Sequence, residues 1–238
     1  MGADGIASSS NSNSSNSSSN SSNSSNSSNS SSSSSEQICK KLGIIGGGRM
    51  AEALISALDK KGTQLAKNIV VFDVNKERIG YLKKKYLIES ADTVQKVVDD
   101  CDVVFLAVKP QHVNLVAGLL KSPPQGLLVS IVAGCTIKKL SNQFQTSNII
   151  RSMPNTPSMV LEGMTVWCAT KETSPHMVTQ ARDLLGSLGE QIEVSDEGYL
   201  DMATAVSGSG PAYVFLAMEA MVDAAVHLGK DEDEGVFD

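Results

Sequence analysis

The short apolar run Leu42 to Ile45 passes without a break into Gly46-Gly47-Gly48-Arg49-Met50-Ala51, and no other feature constrains the fold as tightly. The segment matches G-x-G-x-x-G/A with Ala in the last place, and strand, turn and helix stand in the order a dinucleotide-binding unit needs. Gly46 permits the tight turn, and Gly48 lets the backbone approach a pyrophosphate. Small Ala51 lets the helix pack closely on the strand, with its N-terminal amides toward the phosphates. Without that context the same glycines would read as an ordinary flexible turn.

Short apolar, β-branched runs then alternate with segments of helical period, the pattern of strands buried on both faces by crossover helices. Strands are expected at Leu42 to Ile45, Ile69 to Phe72, Val103 to Val108, Leu127 to Val132, Ile149 to Met153, Met164 to Ala169 and Gln191 to Val194. Helices are expected at Ala51 to Lys60, around Ile79 to Tyr86, Val94 to Val98 and Val113 to Leu120, and at Ile137 to Phe144 and Pro175 to Leu188. The fold class is α/β, with a Rossmann-type, mostly parallel sheet. Beyond Ser195 no strand signal remains. Tyr199 to Val206 and Pro211 to Leu228 read as helices separated by Ser207-Gly208-Ser209-Gly210. The expected boundaries are a tail at 1–37, a dinucleotide-binding domain at 38–197 and a helical unit at 198–238.

Strand ends are where doubly wound sheets bind ligands. Asp73 ends the second strand, where an acidic residue bonds the ribose 2′-hydroxyl of NAD, which favours NADH. Asn75, Lys76 and Arg78 follow at once and offer the alternative of holding a 2′-phosphate. Asp73 as a plain turn former is the bland reading. Ala107-Val108-Lys109-Pro110 closes the strongest strand, either as a cofactor edge or as a simple strand-ending Pro. Arg151-Ser152-Met153-Pro154-Asn155-Thr156-Pro157 is a stiff polar loop after another strand, better explained by a site than by packing. Val206 to Tyr213 places Gly, Ser and Pro before a helix. Its free amides would suit an anion, although close helix packing is the stronger explanation.

Composition narrows the partners. The net charge is −6 and no Lys/Arg stripe offsets it, so a nucleic-acid or anionic-membrane surface is not expected. Apolar runs are strand-sized, too short to span a bilayer. The first residues are nearly all Ser, Asn, Gly and Ala, a composition expected to be disordered. They carry neither a secretory h-region nor an Arg-rich amphipathic pattern. Cys39, Cys101, Cys135 and Cys168 lie far apart with no zinc spacing, which fits a reduced, cytoplasmic compartment. His112, His176 and His227 are scattered and read as surface or helix-end residues. No metal site is expected, and no catalytic triad can be assigned.

Taken in order, GIIGGGRMAEALI, VVFLAVKPQ, LVSIVAG, IIRSMPNTP and AVSGSGPAYVFLAMEAMVDAA resemble the pyrroline-5-carboxylate reductase family. The resemblance runs from Leu42 to Gly229, and the MPNTP and SGSGPAY segments are its most specific parts. It implies reduction of the C=N bond of 1-pyrroline-5-carboxylate to proline by NADPH or NADH. It also implies a cytoplasmic homo-oligomer with a small-molecule substrate. Cofactor binding then falls to Ile45, Gly46, Gly47, Gly48, Arg49 and Met50, to Asp73, to Ala107, Val108, Lys109 and Pro110, and to Ala133 and Gly134. Met153, Pro154, Asn155 and Thr156, with Ser207, Gly208 and Ser209, are the substrate-side candidates.

The resemblance also exposes a departure. Family members continue past the position of Gly229 through further helices of an intertwined dimer, with a Ser-Pro-Gly-Gly-Thr-Thr segment that holds the substrate carboxylate. Here Lys230-Asp231-Glu232-Asp233-Glu234 follows instead. The all-α dimerisation domain is therefore expected to be truncated. Two functions follow: an active reductase, or a catalytically inactive dinucleotide-binding fragment or partner subunit.

Overall fold

The computed structural model describes residues 37–229. The Ser/Asn-rich segment up to residue 36 and the acidic run 230–238 lie outside the described residues, and with them the expectations of a disordered tail and a cut-short end. Eight strands make one sheet: β1 (Leu42–Ile45), β2 (Ile69–Phe72), β3 (Glu89–Ser90), β4 (Val103–Leu106), β5 (Leu127–Ser130), β6 (Ile149–Met153), β7 (Gly163–Ala169) and β8 (Gly189–Glu193). Their spatial order is β3-β2-β1-β4-β5-β6-β7-β8. All neighbours are parallel except β6 and β7. The order reverses between β1 and β4, so a crevice opens at their carboxyl ends.

The crossover helices are α1 (Arg49–Lys61), α2 (Lys76–Tyr86), α3 (Val94–Asp100), α4 (Val113–Gly118), α5 (Ile137–Phe144) and α6 (Pro175–Gly186). Local chemistry fixes their ends. Asn75, Thr93, Thr136 and Ser174 each accept an amide hydrogen bond at a helix N-terminus. Gly62 closes α1 in the left-handed conformation. Alternate strand residues then enter two separate cores. Leu42, Ile44 and Phe105 pack with Leu54 and Leu58 of α1 and Leu184 and Leu185 of α6. Ile45, Val104 and Leu106 pack with Val94, Val97 and Val98 of α3 and Leu140 and Phe144 of α5. Both faces are covered, as parallel sheets require.

Several expectations are corrected. The strands expected to reach Val108 and Val132 stop at Leu106 and Ser130, because the chain leaves the sheet there to form the crevice. The two-residue β3 carries too little apolar pattern to be legible. The break expected at Ser207-Gly208-Ser209-Gly210 does not exist. α7 (Gly198–Ala203) runs through a π-helical turn, Thr204–Gly208, straight into α8 (Gly210–His227). The Ser209 N–H donates to Thr204 O (3.0 Å), so the free amides expected there are taken up by the preceding turn. The four cysteines are all buried free thiols, and burial pushes Cys39 and Cys101 up to about 12. No described helix is long and apolar enough to cross a membrane.

Helix α3 approaches β1 closely because residue 43 has no side chain. A Cβ at Gly43 would lie 2.5 Å from Val97 Cγ1 and 3.0 Å from Cys101 Sγ. Gly43→Ala should therefore destabilise the fold by about 1–3 kcal/mol, the usual range for overpacking. The midpoint of urea unfolding measures this, and adding Val97→Ala should restore part of the loss.

Candidate functional site

Three strand ends converge on the crevice. Gly46, directly after β1, has φ 99° and a Cβ there would lie 2.7 Å from the Ala107 carbonyl oxygen beyond β4. Its N–H donates to Phe72 O at the end of β2 (2.8 Å), and Ala107 N–H donates to Ile45 O (2.9 Å). Only glycine combines that backbone angle with that proximity. Gly48 differs in kind. It is extended (φ −69°, ψ −168°), makes no side-chain cap on α1, and a Cβ there would meet nothing within 4 Å. The small residue at this position leaves open space in front of a helix N-terminus, which is what an approaching phosphate requires.

The cleft beside this turn has a volume of about 340 Å³. Of the expected residues, Ile45, Gly46, Gly48, Asp73, Ala107, Val108 and Lys109 line it. Gly47 adjoins them, its N–H donating to Asp73 Oδ2 (2.7 Å). Arg49 and Met50 form the first turn of α1, and Pro110 begins a short 3-10 turn, Pro110–His112. Ala133 and Gly134 follow β5 but are not among the residues lining the cleft. His112, Leu115, Val116 and Leu119 complete its apolar wall with Phe72 and Val74. These went unseen in the sequence. Leu115 and Leu119 lie one turn apart, off the face that Val113 and Val116 bury, and that leftover apolar pair was the available signal.

Glu52 on the first turn of α1 was also missed, since its partners arrive from α2. Its carboxylate accepts from Arg78 NH2 (2.5 Å), Lys85 Nζ (2.9 Å), Tyr81 Oη (2.9 Å) and Tyr86 Oη (3.2 Å). Partial burial opposes the charge, but hydrogen bonds from Lys85, Arg78 and Tyr81 outweigh it and hold the Glu52 carboxyl at about 2. Arg78 continues to the glycine turn, donating from Nε to Gly47 O (2.5 Å) and from NH2 to Gly48 O (3.2 Å).

The substrate-side candidates meet at a second place. Asn155, beyond β6, donates from Nδ2 to Ser207 O (3.2 Å) and accepts from Met164 N–H (2.9 Å). A Cβ at Gly208 would lie 3.3 Å from Met153 Cε. Pro154 is buried and Thr156 exposed. The Ser207 and Ser209 hydroxyls donate back to Ala203 O and Thr204 O. Arg151 holds this junction together. It is 3% exposed, and its guanidinium donates to Glu197 Oε1 (2.7 Å) and Asp201 Oδ1 (3.0 Å). Burial disfavours its charge, yet the bonds to those carboxylates prevail and its pKa lies above the ordinary value. Among the described residues no cluster of His, Cys, Asp or Glu could hold a metal ion.

Residues 41–134 match the family described as NADP oxidoreductase coenzyme F420-dependent, and residues 197–236 match that described as pyrroline-5-carboxylate reductase dimerisation. The chain is 39% identical over 190 residues to a pyrroline-5-carboxylate reductase of Synechocystis, covering 79% of this chain and 71% of that one. A reductase of the same name from Haemophilus influenzae is 40% identical over 196 residues, with 81% and 72% covered. A Plasmodium falciparum pyrroline carboxylate reductase solved with NADP bound superposes with a TM-score of 0.70 at 30% identity, covering 83% of this chain and 73% of that one.

Two outcomes are expected. Removing the Arg151 side chain (Arg151→Ala) leaves Glu197 with the Ile137 N–H alone, and the cost should be about 2–3 kcal/mol, below that of a fully enclosed pair because Asp201 is open to solvent. Asp201→Asn should cost less than about 1 kcal/mol, both read from denaturant midpoints. The Glu52 carboxyl ordinarily titrates near 4.5 and is lowered to about 2 here. Its contribution is therefore complete above about pH 5 and is lost as pH falls toward 2. The stability gap between wild type and Glu52→Gln should shrink across that window and stay constant above it.

Proposed function

The chain belongs to the pyrroline-5-carboxylate reductase family, and we infer that it reduces the C=N bond of 1-pyrroline-5-carboxylate to L-proline with NADPH or NADH. The observation that carries the reading is the open space at Gly48, in front of an uncapped helix N-terminus and beside an apolar cleft at the sheet's switch point. The residues present fit a dinucleotide: open space beside the backbone at Gly48, a carboxylate at the end of β2, and apolar walls for flat rings. When bound, the nicotinamide supplies the hydride that becomes the new C–H bond at the imine carbon.

The protein's task is then mostly positional. A protonated imine is already electrophilic, so hydride acceptance needs no strong acid from the chain. We assign Ile45 to Met50, Asp73 and Ala107 to Pro110 to holding the dinucleotide, with Ala133 and Gly134 bordering the nicotinamide. Met153 to Thr156 and Ser207 to Ser209, joined through Asn155, form the floor on which the ring rests. Residues 38–197 act as the dinucleotide-binding domain and residues from 198 onward as the dimerisation region. Tyr213 and Phe215 on α8 are 62% and 63% exposed, and we assign that apolar helix to contact with a second copy of the chain. Four buried free thiols are in keeping with a cytoplasmic enzyme. The reading of an inactive dinucleotide-binding fragment is not favoured, because the relatives that the chain matches along most of its length are reductases by name.

Purified protein should oxidise NADH or NADPH only when pyrroline-5-carboxylate is present, followed by loss of absorbance of the reduced cofactor. A Cβ at position 48 meets nothing within 4 Å, so Gly48→Val should lower the melting temperature only by the modest amount that a poorer helix N-cap costs, about 1 kcal/mol. Cofactor affinity should fall by at least about tenfold, the effect of filling the phosphate space. Cofactor binding without turnover would leave the fragment reading standing instead.

A further inference from the structure

The reading above leaves open which nicotinamide cofactor the cleft selects, and that choice turns on the charges around the end of β2. The candidates for holding a 2′-phosphate are Asn75, Lys76 and Arg78. The structure commits two of them elsewhere. The Asn75 side-chain oxygen caps α2, accepting from Arg78 N–H (3.1 Å). Arg78 is half-buried, with Nε on Gly47 O and NH2 shared between Gly48 O and Glu52 Oε2. Its guanidinium carbon lies 5.0 Å from the centroid of the Tyr81 ring. Lys85, in the last turn of α2, is held by Glu52 Oε1 and by Tyr81 Oη (2.8 Å). One carboxylate thus neutralises both arms of the basic cluster.

Asp73 is placed differently. It lines the cleft, and its oxygens each accept one backbone amide, Oδ2 from Gly47 (2.7 Å) and Oδ1 from Asn75 (2.8 Å). Each oxygen retains a lone pair for a further donor. A hydroxyl can supply that donor, whereas a phosphate brings only acceptors and a like charge. Arg49 is exposed on the first turn of α1, beside the pyrophosphate position common to both cofactors, so its charge does not discriminate. Of the candidates that follow Asp73, Lys76 remains, an exposed residue three positions on, while Lys109 lines the cleft from beyond β4.

We propose that this chain is built for NADH, with Asp73 accepting the adenosine ribose 2′-hydroxyl and Glu52 as a specificity-determining residue that keeps Arg78 on the glycine turn and away from a 2′-phosphate. The proposal rests on the cleft being the cofactor site. Arg78 then serves both cofactors equally, by fixing the turn that each must approach.

Fluorescence titration of the full chain with NADH and with NADPH, at fixed moderate ionic strength, tests it without any need for turnover. NADH should bind at least about tenfold more tightly, the scale of one unfavourable charge contact at intermediate dielectric. Asp73→Asn should reduce that ratio about tenfold by weakening NADH and strengthening NADPH. Glu52→Gln should lower the ratio, because the released Arg78 favours NADPH over NADH, and Arg78→Gln should weaken both cofactors by the same factor. Lys76→Gln should leave the ratio unchanged. NADPH binding as tightly as NADH to the wild type would overturn the proposal, as would a selective loss of NADPH in Arg78→Gln or Lys76→Gln. Failure of both cofactors to bind would overturn it together with the assignment of the cleft. Melting curves identify any variant that does not fold, and for such a variant the wild-type ratio alone decides.

Discussion

The close approach of backbone at Gly46 is the contact on which the rest of the site depends. β1 is hydrogen-bonded to β2 on one side and to β4 on the other, and both interactions continue past its last residue through Gly46 N–H and Ile45 O. The chain must then turn upward into α1 while the Ala107 carbonyl stands where a Cβ would be. Once that turn is fixed, the axis of α1 is fixed. Its N-terminus is aimed over the sheet edge, and Leu54 and Leu58 are delivered to the core beneath. Cofactor geometry and hydrophobic packing are therefore one structural decision rather than two.

The sequence made this part of the molecule legible because local chemistry and global topology agree there. β1, β2, α5 and β6 fall where the pattern places them: the two strands β1 and β2 are dense apolar runs, α5 is an amphipathic segment after the cap Thr136, and β6 opens on Ile149-Ile150 and ends before Pro154. The polar cap residues of α2, α3, α5 and α6 point the same way. Where the two levels disagree, the reading fails. Ser207-Gly208-Ser209-Gly210 has every mark of a break, yet its helix is kept winding by the serine hydroxyls, which donate back to carbonyls four and five residues earlier. A π turn is a compromise between helix and loop, and residue preferences have no separate signature for it.

The functional site shows the same division. The glycine turn, Asp73 and the residues after β4 announce themselves by type and position at strand ends. Glu52, His112 and Leu115 do not, because what matters about each is a neighbour distant in sequence. Glu52 looks like an ordinary first-turn acid that favours its helix dipole. Only the docking of α2 alongside α1 brings Arg78, Tyr81, Lys85 and Tyr86 onto it. Arg78, which reads from sequence as available for a phosphate, is thereby occupied.

Arg151 extends this argument to the relation between the two halves of the enzyme. It sits at the middle of β6, two residues before Met153, so its backbone belongs to the sheet while its guanidinium reaches Glu197 and Asp201 around the start of α7. Glu197 Oε1 also accepts Ile137 N–H (2.7 Å), at the first turn of α5. One carboxylate thus ties β6, α5 and α7 into a single corner. From that corner α7 runs to the π turn, whose Ser207 carbonyl meets Asn155 beyond β6. The loop is closed: β6, Arg151, α7, the π turn and Asn155 return to the same strand end. Because the ring closes through two fixed ends, the spacing between the loop after β6 and the π turn is set by covalent lengths and three hydrogen bonds. Two segments distant in sequence are thereby held at a fixed separation.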